Sequence, residues 1–212
     1  MKKLTQPCCS VNRLKVAAMP YDARAVANFM LDYGASKGRP ITIMSLLKIL
    51  FFAHAWYLAR TDKPLVGQPF EAWTYGPVNR VVYDQFKGFK DKPIEGRAQV
   101  LNAAAGRYET ARCDGMDDET VTLLHDIFDY YSEHHPFKLS QITHEEGSPW
   151  DQVWSAATRQ AVPGMIISDA LIRDWFRYDR KPFRVGRIPD GTHDQIADAG
   201  RAGPSPREGR HS

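Results

Sequence analysis

The chain has 212 residues, 43% of them hydrophobic, and 28 Lys and Arg against 25 Asp and Glu give a net charge of +3. That is enough apolar material for one core that holds without disulfides, and too little charge asymmetry to demand a nucleic-acid partner. Cys8, Cys9 and Cys113 stand at no metal-binding spacing; they exclude a disulfide framework and fit a reducing, cytoplasmic setting.

Lys2 and Lys3 resemble the start of a secretory leader, but Thr5-Gln6-Pro7-Cys8-Cys9-Ser10 is not an apolar run. Patterned sequence begins after Met19, an alternative start to Met1. Residues 1–19 are therefore expected to be a flexible segment outside the fold. Asp22 caps a predicted helix reaching Tyr33, with Val26, Phe29, Met30 and Tyr33 on one face. Gly34 to Pro40 breaks it.

Thr42 caps the next helix, which ends near Arg60 and is apolar nearly all the way round. Ile43, Leu46, Leu47, Leu50, His54 and Tyr57 recur at helical spacing, while Ile49, Phe51, Phe52, Ala53 and Trp56 fill most of the other side. Lys48 and His54 interrupt it, and it is short for a membrane span. Such a helix must be enclosed by other elements or by a partner. The expected fold is mainly α: a compact single-domain helical bundle around this buried central helix, with a minor short β element.

Leu65 to Trp73 alternates and carries Pro69, which predicts a short edge strand. In Tyr75-Gly76-Pro77-Val78, Gly76 permits a sharp bend. Pro77 suits the first turn of a helix running from Val78 to Lys87. Asp91 to Gly115 is expected to be loop with a weak strand or turn. Asp117, Asp118 and Glu119 open a further helix at its positive end, with Val121, Leu124, Phe128 and Tyr131 as the buried stripe. Leu139 to His144 reads as a short helix. Ser148-Pro149-Trp150-Asp151 is a helix opening, and Ser168-Asp169 starts the last helix. Residues 20–178 are thus expected to form the domain. Residues 179–212 are expected to be a flexible polar tail, because they hold few large apolar residues after Val185.

No set of side chains announces catalysis. His54 has no carboxylate or Cys partner at a useful spacing, so it reads as a buried histidine bonded to a neighbouring helix or backbone carbonyl. His125, His134, His135 and His144 form no zinc pattern. Ser148 is better explained as a cap than as a nucleophile, and no phosphate-cradling motif is present. Arg180, Lys181, Arg184, Arg187, Arg201, Arg207 and Arg210 are diluted by acids in the tail, which reads as solvated rather than as a nucleic-acid contact. No metal or cofactor is expected. Trp73 and Tyr75, beside the Gly-Pro bend, read either as core residues or as surface anchors.

Four segments in order carry a resemblance: Tyr21 to Phe29, Thr42 to Leu58, Phe70 to Val78 with Tyr83 and Phe86-Lys87, and Leu139 to His144 with Ser148-Pro149-Trp150. Together they resemble the Panacea domain family (SocA-like, phage-associated GepA-like) over about residues 21–178. The resemblance implies a mainly helical antitoxin domain, not an enzyme, that neutralises a cognate toxin encoded nearby by binding it. One branch of the family delivers its toxin to a protease, which leaves an adaptor or scaffold as the rival reading. The family's usual Lys-Leu-Gln-Lys run is Ser45-Leu46-Leu47-Lys48 here, and its usual Gly before Trp56 is Ala55. On this resemblance Trp73, Tyr75, Pro77, Tyr83 and Lys48 are the expected partner-binding residues. His54, Trp56, Gly76, His144, Pro149 and Trp150 are the expected structural ones.

Overall fold

The computed structural model describes residues 19–159 and 165–179. The expectations for the N-terminal segment before Met19, for Cys8 and Cys9, and for the tail after Asp179 fall outside these residues. Helix α1 spans Ala23–Ser36, and the Asp22 carboxylate accepts from the Arg24 amide at 2.8 Å to cap it. Val26 and Met30 from its apolar face are buried.

Helix α2, Ile43–Thr61, is the wrapped rod that its composition demands. Thr42 Oγ1 accepts from the Ser45 amide at 3.4 Å at one end, and Asp62 closes the other in a left-handed turn at φ +57°. No Gly or Pro interrupts it. By length and composition it could cross a membrane, but most of it is buried inside the protein, as in the core helix of a folded domain. Ile49, Leu50, Phe52, Ala53 and Ala55 are fully buried. Each such Ile, Leu or Phe contributes about 1.5–3 kcal/mol relative to exposure.

Around α2 the chain lays down a small sheet and further helices. Strand β1 (Phe70–Trp73) pairs antiparallel with β2 (Gly76–Asn79), and Phe70 faces Asn79 at the far end. Helix α3 is Arg80–Phe86. Strands β3 (Gln99–Asn102) and β4 (Arg107–Thr110) form a separate hairpin. Helix α4 (Asp118–Ser132) is capped by Asp117, and α5 (Pro136–Thr143) and α6 (Pro149–Arg159) follow. Strand β5 (Ile166–Ile167) pairs with β1, and α7 (Asp169–Asp174), capped by Ser168, runs into a π-helical turn at Trp175–Asp179. The fold is therefore mainly helical with small antiparallel sheets. Helices α1, α4, α5 and α7 and strand β2 all contact α2.

Two expectations need correction. The strand order is β2-β1-β5, so β1 is the central strand and not an edge. Pro69 lies just outside it, where no ladder hydrogen bond is needed. Pro77 does not open a helix: it sits within β2, and α3 starts three residues later. β2 is an edge strand, and an edge is where a residue without N–H is tolerated. The 91–115 segment, expected to be loop with a weak strand or turn, holds the two strands of the β3–β4 hairpin. Asn28 on α1 fastens the base of this hairpin, donating to the Ala98 and Ala111 carbonyls and accepting from the Ala98 amide, all within 2.9 Å.

The core is one cluster running from Ala23 to Phe176. Phe52 stacks on Tyr131 at 4.0 Å between ring centroids, and the Trp56 indole N–H donates to the Tyr131 hydroxyl at 3.1 Å. His54 locks α7 to α2. Its Nδ1 accepts from the Val66 amide at 3.4 Å, which leaves Nε2 to donate to Asp169 Oδ1 at 3.0 Å. His54 is 1% exposed while Asp169 is half exposed. Asp169→Ala should lower the unfolding free energy by about 1 kcal/mol, since it strands a buried N–H. Urea denaturation followed by tryptophan fluorescence checks this; an unchanged midpoint would mean the pair is incidental.

Candidate functional site

The two-residue turn Thr74-Tyr75 joins β1 to β2, since Trp73 pairs with Gly76. Four contacts fix this turn, three of them from the second half of the chain. The Ser140 hydroxyl of α5 donates to the Tyr75 carbonyl at 2.9 Å. The Trp150 indole N–H of α6 donates to the Trp73 carbonyl at 2.8 Å. From α2, Lys48 Nζ donates to the Pro77 carbonyl at 3.1 Å. Gly76, at φ +102°, passes so close to Thr143 that a Cβ there would lie 2.6 Å from its Oγ1.

The helix that supplies Trp150 is itself well anchored. Ser148 Oγ donates to the Thr143 carbonyl at 2.9 Å and accepts from the Asp151 amide at 3.2 Å, so the cap also ties α6 to α5. Pro149 takes the first helical position. His144 stacks on Trp150 at 3.7 Å, and Trp150 stacks on Trp154 at 5.3 Å. The segments Phe70 to Val78 and Leu139 to Trp150, some seventy residues apart in the chain by their numbering, thus meet as one structural unit.

Beside the turn lies a groove of about 620 Å³. Met44 and Leu47 from α2, Trp73 and Tyr75 from the sheet, Tyr83 from α3 and Trp154 from α6 form its walls, with Lys48 at the floor. Tyr75 is 66% exposed. Trp73 and Tyr83 are half-buried on the rim and meet edge to face at 4.9 Å. Arg80 lies over the Trp73 ring at 5.7 Å, and the Trp73 indole N–H donates to Glu71 Oε2 at 2.8 Å. The rim aromatics are therefore held in fixed orientations. Hollows of about 650 Å³ on the β3–β4 hairpin and about 420 Å³ against α1 are lined by more polar residues, Arg107, Arg112 and Asp114 in the first and Asp32 and Arg97 in the second.

The sequence-predicted residues divide. Tyr75, Trp73 and Tyr83 gather on the rim. Lys48 and Pro77 lie below the surface, Lys48 at 1% exposure. Gly76, His144, Pro149 and Trp150 build the wall behind the turn, whereas His54 and Trp56 belong to the other end of α2 and do not reach the groove. Ser45, Leu47 and Ala55, where the chain departs from the family pattern, are all buried. Met44, Trp154 and Met165 also line the groove and were missed, because each reads singly as an ordinary core residue.

Burial alone holds the Lys48 ammonium down to about 7. Burial, and next the Lys48 charge, holds His144 below the usual imidazole range. Its Nε2 is buried without a hydrogen-bond partner. Burial pushes the Cys113 thiol up to about 12, away from the thiolate form. Among the described residues no group of three or more His, Cys, Asp or Glu gathers where it could hold a metal ion.

The family described as "Antitoxin SocA-like, Panacea domain" matches residues 46–151. The chain is also 32% identical over 178 residues to Antitoxin SocA of Caulobacter vibrioides (strain NA1000 / CB15N), covering 84% of this chain and 93% of that protein. The chain belongs to the SocA-like Panacea family. The Panacea match runs from the first turn of α2 to the first turn of α6. It takes in Leu47 and Lys48 on α2 and the groove walls on β1, β2 and α3, but not Met44 before it or Trp154 and Met165 beyond it, and it stops short of β5 and α7. No solved structure matches this Panacea chain.

Proposed function

We propose that this protein is an antitoxin that neutralises a cognate toxin by direct binding, with the groove beside Trp73 and Tyr75 as its docking site. The observation that carries the reading is an apolar groove rimmed by rigid aromatic side chains, one of them largely exposed, on a turn stapled from three helices. Aromatic anchors in preformed pockets dominate the binding energy of protein interfaces. The family and the likeness to an antitoxin support the role.

The mechanism is steric. The turn and groove form a preorganised face that covers a working surface of the toxin and denies it to that toxin's target. Little ordering entropy is lost on docking, because the Trp73 and Tyr75 carbonyls and the Trp73 indole are already bonded. The interface buries on the order of 1,600 Å² in total, the standard size for a specific complex. No proton relay is needed, and His54 is already committed to Val66 and Asp169.

Co-expression with the product of the neighbouring gene tests this. The pair co-purifies and growth is rescued if the reading holds; absence of both outcomes overturns it. Trp73→Ala should weaken the complex about 10- to 30-fold, as expected for removing one hot-spot aromatic. Calorimetric titration of the variant checks this, with melting temperature as the control for folding.

A further inference from the structure

Lys48 is a buried amine with no counter-ion among the described residues. Its ammonium has three protons to donate. Among the described residues the Pro77 carbonyl is the acceptor it reaches, and no described carboxylate lies within salt-bridge distance. The titratable groups facing it are His144 behind the turn, Tyr75 on the turn and Tyr83 on α3, and none of them is an acid. Glu71, the nearest acid along β1, turns away to the Trp73 indole and to Arg80 at 3.9 Å.

Burying a charge unpaired is costly, and an apolar side chain would fill the same space without that cost. The surroundings nonetheless keep room for the ammonium. A Cβ on Gly76 would come within 3.0 Å of both Cε and Nζ of Lys48, so the bare backbone there leaves room for the amine beside the groove that Lys48 lines. The walls above it are apolar, with Met44, Leu47 and Trp154 on the helices and Trp73 and Tyr75 on the sheet. An anion entering this groove finds one strong donor at the bottom and little water to compete with it.

We propose that the groove is a carboxylate-accepting site, in which an Asp or Glu side chain of the toxin, flanked by apolar residues, passes between Trp73, Tyr75 and Trp154 to pair with the Lys48 ammonium. This rests on the direct-binding reading and names what that surface recognises. A folded toxin presents side chains to a face that covers it, so the acid is a side chain and not a chain end. The apolar walls select an acid set among apolar neighbours, and the single donor selects against amides and bases. Docking is proton-linked: the entering carboxylate favours the charged amine, so the complex takes up a proton where the free antitoxin has lost it. Affinity is level below pH 7 and falls as the pH rises above it.

The test uses the full chain and the purified product of the neighbouring gene. Dissociation constants are measured at pH 6.5 and pH 9 for the native antitoxin and for Lys48→Met, which keeps the side-chain length and removes the charge. Each exposed Asp and Glu of the toxin is also changed in turn to its amide. The native pair should weaken about 10-fold between the two pH values, and Lys48→Met should bind about 30-fold more weakly at pH 6.5 with no such pH dependence. One toxin amide variant should reproduce that loss and add nothing further in combination with Lys48→Met. A Lys48→Met protein that binds within about threefold of native, or a toxin scan without a coupled acid, overturns the proposal while leaving direct binding intact. A native protein that binds no toxin at either pH overturns direct binding itself, and this inference with it. If Lys48→Met does not fold, the toxin scan read against the native pH profile decides: one amide variant that abolishes the pH dependence supports the site, and none overturns it.

Discussion

Gly76→Ala should remove about 3 kcal/mol or more of stability, from backbone strain at positive φ plus overpacking. Gly76 sits at φ +102°, a region that side-chain-bearing residues avoid. The added methyl would also lie 2.6 Å from Thr143 Oγ1 and 3.0 Å from Lys48 Nζ. Neither neighbour gives way freely, because Thr143 Oγ1 already donates to the Ser140 carbonyl and Lys48 Nζ, on a side chain 1% exposed, already donates to the Pro77 carbonyl. Gly38→Ala is the control: Gly38 also has positive φ, at +66°, but nothing lies within 4 Å of its missing Cβ. It should lose only the backbone part, about 1 kcal/mol. Urea denaturation of both variants separates the two causes. Equal losses would show that the close approach of β2 to α2 and α5 contributes nothing.

Lys48→Met should stabilise the fold by about 2–3 kcal/mol near pH 7, after discounting for the Pro77 carbonyl that loses its donor. The sign follows from the proton balance. Folded Lys48 titrates at about 7, well below its ordinary value of 10.5. Between those two values the unfolded chain holds a proton that the folded chain has released. Stability therefore rises with pH across that window, and the penalty of the buried charge is fully present below it. Lys48→Met lacks the penalty, so its advantage over the native protein shrinks as the pH climbs from 7 toward 10. Other titrating groups are common to both proteins and cancel in the difference. Parallel stability curves would contradict a buried, depressed lysine. A variant that is more stable and yet binds toxin more weakly would place Lys48 among residues kept for recognition at the expense of stability.

Much of the scaffold could be read from the chain because its signals are local. Asp22, Thr42, Asp117, Ser148 and Ser168 were each expected to open a helix, and each side chain accepts from a backbone amide in the first turn. The all-round apolar character of α2 required enclosure, and the structure encloses it. The errors came where two principles compete. Pro77 suits a helix start and an edge strand equally well, and pairing with β1 decides the matter. The β3–β4 hairpin showed in the sequence only as a weak strand or turn because its residues are mostly exposed, and it is held by Asn28, a polar residue that no periodicity marks as central.

The groove was only partly legible for a related reason. Trp73 and Tyr75 stand beside a Gly-Pro bend, which is a local cue. Met44, Trp154 and Met165 come from three distant segments and become walls only after folding. Lys48 entered as an expected partner-binding residue on the resemblance, and nothing in its sequence context marks it as buried. Here it turns inward, into space that a Cβ on Gly76 would crowd. Asp169, the partner that His54 lacked in sequence, lies 115 positions away.

Hydrogen–deuterium exchange of the full chain, alone and saturated with the product of the neighbouring gene, tests the central claim most directly. If the groove is where the toxin docks, amides of residues 72–83 gain protection on binding and those of the 99–110 hairpin do not. Protection confined to the hairpin, with the Trp73–Tyr83 segment unchanged, would contradict it.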